Sequence, residues 1–153
     1  MYDDLKGRTA LITGASQGLG ARFATALAET GVQVVLVARR LDKLQTLADQ
    51  LNARGLQALA FEVDVADKQS ITRLFQRLDT AGLKIDICIN NAATFKMTPI
   101  FAENNDDFEA VMQTNVIGLW NVTKAVARQM KRHKPKPEQP DLDFHPAPRK
   151  EPP

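Results

Sequence analysis

Short apolar runs alternate with amphipathic stretches from residue 7 to residue 133. Residues 9–12, Thr-Ala-Leu-Ile, read as a short buried strand. Residues 19–29 carry Phe23, Ala24, Leu27 and Ala28 at helical spacing and stop at Gly31. The Val-rich run at 32–37 is too short for a helix and suits a parallel strand buried on both faces. Residues 41–53 place Leu41, Leu44, Leu47, Ala48 and Leu51 on one helical face, ended by Gly55. A third strand is expected at 56–63, a helix at 70–78 through Ile71, Leu74, Phe75 and Leu78, and a fourth strand at 85–89. The last helix should start near an Asn105 or Asp106 cap. It then carries Phe108, Val111, Met112, Val116, Leu119, Thr123, Val126 and Met130 at three- and four-residue steps. Strands and helices in strict alternation predict an α/β fold, a doubly wound parallel sheet with right-handed crossovers and helices on both faces. Such sheets hold ligands at the carboxyl ends of their strands, where strand order reverses.

The pattern stops near His133. Residues 134–153 hold seven of the chain's eight prolines, four basic and four acidic side chains, and only Leu142, Phe144 and Ala147 as apolar content. That content is too small to offset the entropy of ordering the segment. The expected organisation is therefore one domain over 1–133 and a disordered tail of polyproline character over 134–153.

Charge excludes more than it indicates. Twenty basic and 18 acidic side chains leave a net charge of +2, with no wide electrostatic footprint for nucleic acid or an anionic membrane. Cys88 is the only cysteine, so an internal disulfide and a CxxC metal pair are both excluded. No apolar segment approaches the roughly 20 residues needed to span a bilayer, nor does the amino terminus read as a signal peptide. A soluble cytoplasmic protein is the expectation. His133 and His145 have no carboxylate or thiol partners at metal-ligand spacing, so no metal site is expected. The basic residues Arg128, Lys131, Arg132, Lys134 and Lys136 suit the negative end of the last helix.

The candidate chemistry lies at the first strand-to-helix turn, Thr13-Gly-Ala-Ser-Gln-Gly-Leu-Gly20. Gly14 would make the tight turn, Gly18 would let backbone approach a pyrophosphate, and Gly20 would allow close helix packing. The helix amino terminus adds free N–H groups and a positive dipole end. After the second strand, Ala38 stands where an NAD enzyme needs an acidic residue for the ribose hydroxyls, and Arg39 and Arg40 follow. Two arginines there suit a 2′-phosphate, with a hydroxyl from Ser16 beside them, although both could also simply face solvent.

The three-residue gap between Gly14 and Gly18 resembles the glycine loop of the short-chain dehydrogenases/reductases, and three further motifs follow in order. Asp64-Val65 resembles the family's adenine-contacting pair. Asn90-Asn91-Ala92-Ala93 resembles the N-N-A-G motif that steadies the sheet beside the adenosine ribose. Asn115-Val-Ile-Gly118 resembles N-V-x-G, whose asparagine belongs to the catalytic tetrad. Taken singly, Asp64 is also readable as a helix cap, Asn90 and Asn91 as turn formers, and Asn115 as a solvated helix residue. The resemblance implies a Rossmann-like fold and cofactor-binding roles for Gly14, Ser16, Gln17, Gly18, Leu19, Gly20, Arg39, Arg40, Asp64, Val65, Asn91 and Ala92. It also implies NADP(H) in preference to NAD(H), since NADP-preferring members often carry arginine at the Arg39 place. Gln17 departs from that pattern, because many such members have a basic residue in the loop.

The family transfers hydride between nicotinamide and a carbonyl or alcohol carbon, using a tyrosine, a lysine and a serine. Here the only tyrosine is Tyr2, no Y-x-x-x-K occurs, and no serine follows Ser70. Asn115 is then the sole remnant of the tetrad. The expectation is a sheet truncated after about four strands, inactive in catalysis, with a frameshift or early stop as a hypothetical origin. Its fourth strand would present an apolar edge and its last helix an uncovered face, both suited to homo- or hetero-oligomer contacts, including with a full-length reductase.

Overall fold

The computed structural model describes residues 3–133 apart from 98, 100 and 102–104. The expected tail, 134–153, lies outside the described residues, as does Tyr2. Four parallel strands form the sheet: β1 (Thr9–Thr13), β2 (Gln33–Ala38), β3 (Ala58–Glu62) and β4 (Ile87–Ile89). Their order is β3-β2-β1-β4, so the order reverses between β1 and β4. Helices α1 (Gly18–Glu29), α2 (Leu41–Ala53) and α3 (Lys68–Thr80) make the crossovers. After β4 come α4 (Asp106–Met112), a π-helical turn (Gln113–Gly118) and α5 (Leu119–Arg132). The fold is Rossmann-like.

Strand periodicity sorts the core into two layers. Ala10, Ile12, Val34 and Leu36 face one side and pack with Ala24, Ala28, Leu44 and Leu51 of α1 and α2. Leu11, Val35 and Val37 face the other and pack with Ile71, Leu74, Phe75 and Leu78 of α3 and Val122 and Val126 of α5. Successive strand residues point to opposite faces, so a strand covered on both sides must be apolar throughout. All five residues of β1 are buried.

Two strands are shorter than their apolar runs, for local reasons. Before β3, the Leu56 N–H donates to the Leu51 carbonyl and closes the end of α2, and the Asn52 side chain clasps the backbone of Ala58 in both directions. Before β4, the Ile85 N–H donates at 3.1 Å to Oε1 of Gln129 on α5. Gln129 is wholly buried, and its Nε2 donates to the Leu83 carbonyl and to Asp79. A buried amide that satisfies three partners locks α5 to the approach of β4.

The last helix differs from the single helix expected. Its first segment begins after Asn105, whose side chain makes no capping bond, and it widens into the π turn before α5. Insertions of this kind recur at functional sites. No helix among the described residues is long and apolar enough to cross a membrane.

Candidate functional site

A cleft of about 270 Å³ opens at the carboxyl ends of the strands. Gly14, Ser16, Gln17 and Gly18 of the β1–α1 turn, Arg39 and Arg40 after β2, Asp64 and Val65 after β3, and Asn91 and Ala92 after β4 all line it. Residues 78 positions apart in sequence thus share one wall. Leu19, Gly20 and Asn115 do not line it: Leu19 is exposed, and the other two act through neighbours. Thr114, from the π turn, lines the cleft and was not anticipated, because nothing in the helical spacing sets it apart.

The floor is built around Asn91. Its Nδ2 donates to the carbonyl oxygens of Thr13 at 3.1 Å and Gly14 at 3.3 Å. Gly14 has φ +67°, and a Cβ there would lie 2.8 Å from Ala92 Cα and 2.9 Å from Asn91 Nδ2. A Cβ on Gly20 would overlap the Gly14 carbonyl and come 2.6 Å from the same amide nitrogen. The two glycines and the asparagine therefore form one close-packed unit. At Gly18, φ is +59° and a Cβ would meet nothing within 4 Å, which leaves backbone open at the start of α1.

Thr13 completes that unit and also escaped notice in the sequence. Its hydroxyl accepts from the N–H groups of Asn91 and Ala92, each at 3.0 Å, and donates to the Ile89 carbonyl. One donor and two acceptor sites are all used.

The entrance of the cleft favours negative charge. Gln17, the residue before α1, is extended and its side chain makes no capping bond, and no acidic residue occurs in the helix's first turn. The amides of that turn and the dipole behind them are available to an anion. Across from them, Nη2 of Arg40 donates to Ser16 Oγ at 3.2 Å. Bare amides, a hydroxyl and a guanidinium on one rim can hold a phosphate.

Asp64 is fixed by its own loop: Oδ1 accepts from the Ala66 N–H at 2.9 Å, and the Asp64 N–H donates to Ser70 Oγ. The cap of α3 is Asp67, which accepts from the Gln69 N–H. Asn90 donates to Thr123 Oγ1 at 2.9 Å.

Asn115 sits in the π turn and is bonded to the Thr94 backbone in both directions, through Oδ1 at 2.8 Å and Nδ2 at 2.9 Å. The same turn docks on the loop after β3. Gln113 Nε2 donates to the Ala66 carbonyl, and a Cβ on Gly118 would lie 2.7 Å from the Val65 carbonyl oxygen. The π turn thereby ties the loops after β3 and β4 to one helix, through Gln113 and Gly118 to the first and Asn115 to the second. Cys88 on β4 is half-buried, and burial pushes its thiol up to about 11, so it stays protonated at neutral pH.

Reversed strand order, a glycine turn that opens a helix and a cleft at the strand ends together define a Rossmann-like protein of the nucleotide-cofactor class. The family model described as short chain dehydrogenase matches residues 8–136, and the chain belongs to that family. The oxidoreductase UcpA of Salmonella typhimurium is 37% identical over 130 residues, which cover 85% of this chain and 49% of UcpA. A crystal structure of a short-chain type dehydrogenase/reductase from Mycobacterium marinum superposes with a TM-score of 0.78 at 35% identity, covering 82% of this chain and 50% of that one. The gluconate 5-dehydrogenase from Burkholderia cenocepacia, solved in complex with NADP and tartrate, has a TM-score of 0.77 at 36% identity, covering 84% and 51%. The chain spans about half the length of the curated relatives it matches. The family is one of oxidoreductases that use NAD(P)(H).

Proposed function

We propose that the chain supplies the adenosine and pyrophosphate half-site of an NADP(H)-dependent short-chain dehydrogenase/reductase. The observation that carries this reading is the Arg40–Ser16 hydrogen bond on the rim of the cleft, facing the uncapped start of α1. Ala38 at the end of β2 offers no carboxylate to the ribose hydroxyls, whereas Arg39 and Arg40 offer guanidinium donors to a 2′-phosphate. The similar gluconate 5-dehydrogenase was solved with NADP.

In this reading the α1 amides and Gly18 receive the pyrophosphate, Arg40 and Ser16 the 2′-phosphate, and Asp64 and Val65 border the adenine. Asn91 and Ala92 lie along the ribose. The nicotinamide of the bound cofactor would supply the hydride. Within the given sequence Tyr2 is the only tyrosine, and Asn115 is spent on holding Thr94. These 153 residues by themselves therefore bind cofactor without turning it over. A free thiol at Cys88 suits a reducing cytoplasm.

Fluorescence titration with NADPH and with NADH tests the reading. NADPH is expected to bind about tenfold more tightly, or about 1.4 kcal/mol, and NADPH oxidation with carbonyl compounds should stay at background. Equal affinities would remove the cofactor preference, and steady turnover would remove the noncatalytic assignment.

A second reading, a noncatalytic module that pairs with a full-length reductase, is favoured by the edge of the sheet. β4 is an outer strand, Trp120, Val116 and Ile117 are exposed, and the buried Oδ1 of Asn90 lacks a hydrogen-bond partner. Unpaired edges and exposed apolar side chains mark contact surfaces. Co-purification of a tagged chain with a full-length reductase of the same cell tests it.

A further inference from the structure

The loop after β3 forms one side of the cleft and leans on the π turn. Its Val65–Ala66 peptide is held from two directions. The Ala66 N–H donates to Asp64 Oδ1 at 2.9 Å, and the Val65 carbonyl oxygen lies only 2.7 Å from where a Cβ on Gly118 would stand. The next peptide is held as well, because Gln113 Nε2 donates to the Ala66 carbonyl at 2.9 Å. Behind them the Asp64 N–H donates to Ser70 Oγ at 3.2 Å, and the Asp64 carbonyl accepts the Asp67 N–H at 3.1 Å. Asp64 itself lines the cleft. No hydrogen bond or ion pair among the described residues uses its second oxygen, Oδ2.

The widened turn is what brings two of its residues to this loop. Positions five apart stand about 140° apart around an α-helix, so Gln113 and Gly118 would face different ways there. A turn closed from i to i+5 stacks such positions. Here a Cβ on Gly118 would lie 3.2 Å from the Gln113 carbonyl oxygen, and both residues meet the Val65–Ala66 segment. Gly118 permits the close approach, and Gln113 fixes it with a hydrogen bond.

We propose that Gln113 is a positioning residue for recognition of the cofactor's base. This rests on the reading above, in which Asp64 borders the adenine. Gln113 does not line the cleft and acts through Ala66. The Ala66 N–H occupies one carboxylate oxygen of Asp64 and leaves the other to accept the exocyclic amine of adenine. A carboxylate held in one orientation before the ligand arrives loses less freedom on binding, so its hydrogen bond contributes more to affinity. Hypoxanthine carries a carbonyl oxygen in place of that amine and offers Oδ2 no donor. The site therefore selects adenine over hypoxanthine, and the selectivity depends on Gln113.

Calorimetric titration of the full chain with adenosine 2′,5′-bisphosphate and with its inosine counterpart tests the proposal. The parent should bind the adenine form about tenfold more tightly, the worth of one hydrogen bond to a charged group. Gln113→Met, which keeps the length of the side chain and removes the donor, should bring the two affinities close together by weakening the adenine form alone. Gln113→Glu repeats the comparison with a polar side chain that cannot donate. Asp64→Ala should erase the same preference, and Asp64→Ala combined with Gln113→Met should lose nothing further, because the two residues act in series. A preference unchanged in both Gln113 variants would overturn the proposal. So would equal weakening of the two nucleotides, which is what a purely structural staple between helix and loop would give. A parent that binds both forms equally would overturn this inference alone, whereas a parent that binds neither would overturn the half-site reading and this inference with it.

Discussion

The side-chain amide of Asn91 donates to the Thr13 carbonyl at 3.1 Å, and the Thr13 hydroxyl accepts the Asn91 backbone N–H at 3.0 Å. This reciprocal pair joins the ends of β1 and β4 under the cleft. Asn91→Ala leaves two carbonyls without their donor, and Thr13→Val leaves the Asn91 and Ala92 amides without an acceptor. Each is expected to cost about 1–3 kcal/mol, read as a lower urea midpoint at unchanged slope. A midpoint within error of the parent for both would show that water replaces these bonds freely.

Gly14→Val is predicted to abolish NADP(H) binding and to lower stability. The new side chain meets Ala92 and Asn91 at under 3 Å, and φ +67° is unfavourable for a branched residue. Gly118→Ala tests a different contact, because its methyl would press on the Val65 carbonyl and displace the π turn from the loop after β3. Nucleotide affinity should fall in both, with Gly14→Val the more severe in a calorimetric titration.

Arg39→Ala and Arg40→Ala should each weaken NADP(H) far more than NAD(H). Loss of one charge-assisted hydrogen bond is worth about 1.5–3 kcal/mol, or roughly ten- to more than a hundredfold in affinity. Arg40→Ala should be at least as damaging as Arg39→Ala, since Arg40 is the one bonded to Ser16. Parallel losses for the two cofactors would assign both arginines to general attraction of phosphate.

Stability should fall in acid through Asp79. The hydrogen bond from Gln129 lowers its pKa most; burial opposes this, and the charge and hydrogen bond of Arg132 add to the lowering, so the folded pKa lies below the ordinary 3.8. For a depressed carboxylate the stabilisation is complete above the unfolded pKa and is lost as pH falls through the folded one. The urea midpoint of the parent should therefore drop below about pH 4, and Asp79→Asn should flatten that part of the profile while lowering the midpoint at pH 7. Identical acid profiles would remove Asp79 from the account.

Cys88 should resist thiol reagents in the folded chain. With its thiol raised to about 11, almost none is ionised at pH 8, and the half-buried sulfur is shielded by the helix face it packs against. Modification by a disulfide reagent is expected to accelerate many-fold once urea unfolds the sheet. Equal rates in the two states would mean that β4 opens readily.

Much of the fold was legible because each element has its own period. Apolar runs of five or six residues, bounded by Gly31, Gly55 and the Asp64 turn, are too short for helices and right for strands, and the leucine spacing over 41–53 is that of a helix. The cleft was legible for a related reason: residues that follow successive parallel strands must meet at one end of the sheet. Ten of the candidate residues line it. Less legible were the ends of β3 and β4, where Asn52 and Gln129 take backbone groups that a longer strand would have used.

The sequence by itself determined the α/β alternation, the glycine turn and the family, since these depend on local conformation and on spacing. Only the tertiary structure decided that Thr13 and Gln129 are structural keystones, that Arg40 reaches Ser16, and that Asn115 lies in a π turn clasping Thr94. Each of these is a contact between residues far apart in the chain, or a backbone distortion held in place by such contacts. No periodicity within one segment encodes the partner that another segment brings, because that partner arrives only when the strands align.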